Sequence, residues 1–217
     1  MRIAAWKQPM LSVLAAVLAA TATNARARDE FTVTVRVYDT AGVGVTSHQA
    51  TLDLAARIVS ETSISLSWRL CGKTDSCADA LGQAELVLRL ASSPIAADVK
   101  SNPQLGSAVI DTQKRLGVLA TVYCDRVAWR ASQANVDEQL LLSRVIAHEL
   151  GHLLLGTASH TGGGLMRSDW THEELTRRDP AAWSFSPQEV SSIKTRIDVI
   201  AKSHLGPRKR NHRANAL

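Results

Sequence analysis

His148 and His152 stand four residues apart, with Glu149 beside the first, in the stretch Ile146-Ala-His-Glu-Leu-Gly-His-Leu-Leu-Leu-Gly156. On a helix, residues at that spacing lie one turn above the other on the same face. Two imidazoles so placed can share one metal ion, while the neighbouring carboxylate stays free to handle the proton of a water molecule. The competing reading is three ionisable groups buried on an apolar helix with nothing to neutralise them, which is costly. The pattern therefore implies a bound Zn²⁺.

The flanking residues predict the helix that this chemistry needs, over 136–155. Asn135 serves as its N-cap, Asp137 and Glu138 favour the positive end of its dipole, and Gly156 stops it. Between them Leu140, Leu141, Leu142, Val145, Ile146, Ala147, Leu150, Leu153, Leu154 and Leu155 fall on nearly every side. A helix apolar all round is buried in the body of a domain.

Upstream, Phe31 to Asp39 alternates β-branched and polar residues and reads as a strand, which Gly42 and Gly44 break. Ser47 caps a helix through about Ser60. Ile64 to Cys71 alternates again, Ala84 to Ala91 is a third strand, and Ser107 to Asp111 and Gly117 to Cys124 are two more. One β-α-β crossover followed by neighbouring strands gives a mixed twisted sheet of about five strands with helices packed on it, an α+β fold. Past Gly156, residues 157–170 are rich in Gly, Ser and Thr and irregular. Ser186-Pro-Gln-Glu189 is a capping box with proline at the first helical position, and it starts a C-terminal helix reaching about Ile200.

The ends of the 217-residue chain differ from its body. Arg2 and Lys7 precede an apolar run from Met10 to Ala20, and Ala25-Arg26-Ala27 offers a small-x-small cleavage site. Residues 1–27 thus read as a secretory signal peptide, residues 28–201 as one domain, and residues 202–217 as a basic disordered tail. Removing the three cations of the leader lowers the net charge from +5 to +2, and the five cations of the tail leave the body at −3. That places no basic face on the fold for nucleic acid. No membrane span follows the leader, and the expected product is a monomer, secreted or periplasmic. Cys71 and Cys77 bracket a short polar loop that a disulfide could close in an oxidising compartment, leaving Cys124 as a buried thiol.

At the long helix and the loop after it, the sequence resembles the zincin metallopeptidases, specifically the metzincin branch. Members carry the two helical histidines and the glutamate, a glycine ending the helix, a third histidine and a methionine turn beneath the metal. Here those are His148, Glu149, His152, Gly156, His160 and Met166. The match departs from the usual spacing, because the positions where the family places its glycine and third histidine are Leu155 and Ala158. The tyrosine that some members carry after the methionine turn is also missing.

The resemblance implies a metzincin-like domain, zinc held by His148, His152 and His160, and peptide bonds as substrate. It implies a zinc-activated water, with Glu149 as the general base that passes its proton to the leaving amine. Competitors for the third ligand position are Asp169 and the Glu173–Glu174 pair, since Thr171-His-Glu-Glu could begin a second helix. His160 is preferred because Gly156 permits a sharp turn and Gly162-Gly-Gly-Leu-Met166 supplies the turn that the family requires. Arg167 and His172 are candidates for stabilising the oxyanion. The rival class is a non-catalytic binding or structural protein that keeps the zinc site. An intact Glu149 favours the peptidase, because a structural zinc does not need it.

Overall fold

The computed structural model describes residues 31–42, 48–72, 77–82, 84–93, 104–111, 116–177 and 179–204. The expected signal peptide, the capping role of Ser47 and the tail from residue 205 onward lie outside the described residues. Five strands form one sheet: β1 (Phe31–Asp39), β2 (Ile64–Cys71), β3 (Glu85–Ala91), β4 (Gly106–Asp111) and β5 (Leu116–Tyr123). The helices are α1 (Gln49–Ser60), α2 (Cys124–Ala134), α3 (Glu138–Leu155), α4 (His172–Thr176) and α5 (Pro187–His204).

The strand order is β2-β1-β3-β5-β4, with the first four parallel and β4 antiparallel to β5 at the edge. This corrects the expectation that the later strands would neighbour one another in sequence order. Parallel strands cannot be joined by a tight hairpin. The chain leaving β2 therefore crosses β1 and returns as β3 on its far side, and β4 and β5 alone pair as sequential antiparallel neighbours.

In β1 the alternation buries Val33, Val35 and Val37 on the helix-covered face. Arg36 points the other way and is nevertheless only 3% exposed, because the segment after the cysteine loop folds over it. Its guanidinium donates to the carbonyls of Asp79 at 2.7 Å and Ala80 at 3.0 Å, and to the carboxylates of Asp79 at 2.8 Å and Glu85 at 2.5 Å. A buried cation is tolerated when it is paired and hydrogen-bonded in this way.

The same segment is tethered by the disulfide Cys71–Cys77, with Cα atoms 5.6 Å apart. Closing so short a loop restricts the unfolded chain by about 2 kcal/mol. Replacing both cysteines by serine is expected to lower the unfolding free energy by that amount, read from urea denaturation with the slope fitted separately for each protein. Cys124 is free and buried at the start of α2, and burial pushes its thiol up to about 11, which leaves it inert.

α2 is the element that sequence reading missed. Cys124, Val127, Ala131 and Ala134 are buried along one of its faces, at helical spacing. Asn135, expected to open the histidine helix, instead closes α2 in the left-handed conformation (φ 52°, ψ 47°), which asparagine tolerates. The N-cap of α3 is Asp137, whose carboxylate accepts from the Leu140 amide at 2.7 Å.

Every residue of α3 from Leu141 to Leu155 is buried. The helix touches α1, α2, α5, β4 and β5, so it has no solvent face to keep polar. No helix among the described residues, α3 included, is long and apolar enough to cross a membrane. The capping box at α5 forms as expected: the Ser186 amide donates to Glu189 at 2.7 Å, and the Glu189 amide donates back to the Ser186 hydroxyl at 3.3 Å. α5 then runs past Ile200 to His204.

Candidate metal centre

Two elements build the site. α3 carries His148, Glu149 and His152 in its C-terminal half and ends at Gly156, whose φ of 62° turns the chain sharply back under the helix. The loop 157–170 then brings His160 up beside them. The Nε2 atoms of His148 and His152 are 3.1 Å apart, and those of His152 and His160 are 3.2 Å apart. One ligand atom from each of the three lies within 4.8 Å of the others.

The other ring nitrogens show which tautomer is present. Nδ1 of His148 lies 2.8 Å from the Leu165 carbonyl, and Nδ1 of His152 lies 2.9 Å from the Thr157 carbonyl. A carbonyl only accepts, so both Nδ1 atoms carry the proton and both Nε2 atoms present a lone pair. Lone pairs converging at 3.1 Å repel unless a cation lies between them. Three imidazoles converging this way suit Zn²⁺, and the carbonyl behind each helical histidine fixes its ring as metal sites require.

The loop is held by its own bonds. Leu165, whose carbonyl receives His148, donates its amide to Ser184 at 3.0 Å. Gly164 (φ 68°) leaves room for that Ser184 carbonyl, which a Cβ would approach to 2.8 Å. The Thr161 amide donates to the Met166 carbonyl at 2.9 Å, and its hydroxyl donates to Glu189 at 3.0 Å, tying the loop to α5. Met166 is fully buried against α3 at Gly151, where a Cβ would stand 2.5 Å from its sulfur. It is a packing residue beneath the histidines, and the missing side chain of Gly151 is what admits it.

Glu149 is 5% exposed and faces the first residue of β4. A Cβ on Gly106 would stand 2.5 Å from its Oε1, so the glycine makes the space the carboxylate occupies. Histidines, glutamate and Gly106 open onto a cleft of about 430 Å³, with Trp170 closing one side. Trp170 sits edge-on to His148 at 5.4 Å between ring centroids and packs on Trp183 at 5.2 Å, over which Arg144 stacks at 3.7 Å.

The competing carboxylates are elsewhere. Glu174 is taken up by the capping box of α4 and by an ion pair with Arg167. Glu173 is 82% exposed and pairs with Arg177. Asp169 lines the cleft but lies outside the three-histidine cluster. Of the two oxyanion candidates, Arg167 lines the cleft and His172 does not. The residues that sequence reasoning missed are Gly106, Trp170 and the carbonyls of Thr157 and Leu165. Backbone carbonyls leave no mark in a sequence, and Gly106 acts only through contact with a helix far along the chain.

Burial sets the protonation of the metal-free site. It pushes Glu149 up to about 8 and His148 down to about 4, and it lowers His152. Glu149 therefore contributes stability that is fully present below its unfolded value near 4.5 and lost as pH rises through 8. The histidines contribute stability above their unfolded value near 6.5, lost as pH falls through their folded values. The metal-free protein is expected to be most stable near pH 6 and to lose about 2 kcal/mol between pH 6.5 and 8, at 1.4 kcal/mol per unit. Denaturant titrations across that range, with chelator present, measure it. A flat profile contradicts the buried, unpaired carboxylate.

No protein-family model and no curated protein matches the sequence. Among solved structures, the crystal structure of archaemetzincin (amzA) from Methanopyrus kandleri covers 78% of this chain and 96% of its own, at 20% sequence identity and a TM-score of 0.50. The mixed five-stranded sheet with its packed helices agrees with that likeness in fold. The chain has a metzincin-like α+β fold, with three histidines gathered where the buried helix ends.

Proposed function

We propose that the protein is an exported zinc-dependent peptidase in which His148, His152 and His160 hold the metal and Glu149 is the general base. The observation that carries this reading is the convergence of three imidazole nitrogens beside a buried carboxylate that opens on the same cleft. When bound there, zinc would supply Lewis-acid polarisation of a carbonyl and lower the pKa of a water to about 7.

The chain's own residues supply the rest. The carbonyls of Leu165 and Thr157 hold the histidine rings in register. Burial keeps His148 and His152 neutral, the form that ligates a metal. Glu149, in a poorly solvated position, is raised towards the working pH, where a carboxylate can both take a proton and return it. β4 is the outer strand of the sheet, and Gly106, Ser107 and Ala108 line the cleft, so an extended peptide could be received along that edge. Export rests on the leader and is supported by the Cys71–Cys77 disulfide.

The test is zinc content by mass spectrometry together with cleavage of a broad peptide library, with and without chelator. One bound zinc and chelator-sensitive cleavage are expected. Stoichiometric zinc with no cleavage of any peptide would return the assignment to a non-catalytic zinc protein.

A further inference from the structure

α2 brings charge to the cleft that proton transfer does not use. Arg126 and Arg130 lie one turn apart on this helix. Arg126 stacks over the Tyr123 ring at 4.6 Å and donates to the Gln104 carbonyl at 2.8 Å, just before β4. Arg130 donates to the Trp170 carbonyl at 2.7 Å, at the end of the loop that carries His160. The two guanidiniums thus tie the segment before β4 and this loop to one helix, and Arg130 lines the cleft itself.

Arg130 is half-buried, and one neutral carbonyl satisfies only part of a guanidinium with five N–H donors. No carboxylate among the described residues pairs with it. Of the other charged groups lining the cleft, Arg167 is paired with Glu174 and Asp169 has a partner, while Glu149 packs against Gly106 and forms no ion pair with Arg130 among the described residues. A positive charge that is partly desolvated and uncompensated, in a cleft open to ligand, favours an anion. A planar fork favours a carboxylate in particular.

We propose that Arg130 is a specificity-determining residue that receives a carboxylate of the substrate on the Trp170 side of the cleft. This rests on the peptidase reading for the nature of the ligand, a peptide. The carboxylate could be an Asp or Glu side chain or the peptide's own C-terminus.

The experiment measures binding, so that it does not depend on turnover. Fluorescein-labelled short peptides with Glu or Gln scanned through every position, each with a free or amidated C-terminus, are titrated by anisotropy into the zinc-loaded full chain carrying Glu149→Gln. A preference of about tenfold to a hundredfold for one acidic form is expected, the scale of a charge-assisted bond. A preference that follows Glu and ignores amidation identifies the side chain as the source, and one that follows the free terminus identifies the α-carboxylate. In the same background Arg130→Gln, which can still donate to the Trp170 carbonyl, should bring the affinity ratio to about one. Arg130→Lys should keep part of it. Equal affinities for acidic and neutral peptides, no binding of any peptide, or a ratio that survives Arg130→Gln overturns the proposal. Cleavage of the same peptides by the unsubstituted protein is scored separately. No cleavage with an Arg130-dependent preference sinks the peptidase reading alone, and cleavage without a preference sinks the role of Arg130 alone.

Discussion

Glu149→Gln is expected to lower peptide hydrolysis by at least about a hundredfold while leaving zinc content and thermal midpoint near their original values. The carboxylate is buried, and desolvation, with no charged neighbour contributing, raises it to about 8. Near neutral pH the metal-free protein therefore holds the side chain mostly as the neutral acid. An amide has the same shape as that acid, so the substitution removes basicity without opening a cavity or stranding a charge. Glu149 also lies outside the three-histidine cluster, so metal affinity has no direct reason to fall. Gly106→Ala is the geometric companion. Its new Cβ would stand 2.5 to 2.8 Å from Oε1, Cγ and Cδ of Glu149, so that side chain must move from its place. It should lower the rate with zinc retained, because proton transfer requires hydrogen-bond reach. The ratio kcat/KM on one library-derived peptide, with zinc measured on the same samples, decides both. Near-original turnover in Glu149→Gln would remove the general base from the mechanism.

What was legible in the sequence was whatever is encoded locally. The strands β1, β2 and β3 announce themselves by alternation, and α3 by apolar residues all round with Gly156 at its end. α2 was hidden because Leu116–Tyr123 passes into Cys124 without a glycine, proline or capping residue to mark the change of period. Asn135 was assigned to the wrong helix for a related reason. Asparagine suits both an N-cap and a left-handed C-cap, and only the burial of Ala131 and Ala134 before it shows which applies. Strand order was out of reach because no periodicity records which partner lies across a crossover. β1 between β2 and β3 is a property of the assembled sheet. In the site, the side chains that could bind metal were readable from their types and spacing, whereas the space at Gly106 and the carbonyls of Leu165 and Thr157 exist only after folding.

His160→Ala is expected to weaken zinc binding by at least about a hundredfold, while Glu174→Gln leaves it unchanged. The magnitude follows from dividing the roughly 10–16 kcal/mol of a four-ligand zinc site among its bonds, about 3 kcal/mol each, at 1.4 kcal/mol per tenfold. The choice of residue follows from the loop. Its spacing from His152 is longer than the resemblance leads one to expect, yet Gly156 turns the chain back and the His160 Nε2 comes to 3.2 Å from that of His152. Unlike its two partners, His160 is exposed and lies on the loop, so losing it should leave the buried core of α3 intact. Glu174 is bound at both ends of its task, accepting from the Thr171 amide at 2.9 Å and pairing with Arg167. Glu174→Gln keeps an oxygen for the cap and loses the ion pair with Arg167, so it should cost at most about 1 kcal/mol of stability and leave the metal alone. Competition against a chromogenic chelator gives the zinc affinities, and thermal unfolding of the metal-free proteins gives the stabilities. If Glu174→Gln releases zinc and His160→Ala does not, the third ligand is the glutamate, and the loop from Gly156 to Met166 serves only to carry the carbonyl of Leu165 to His148.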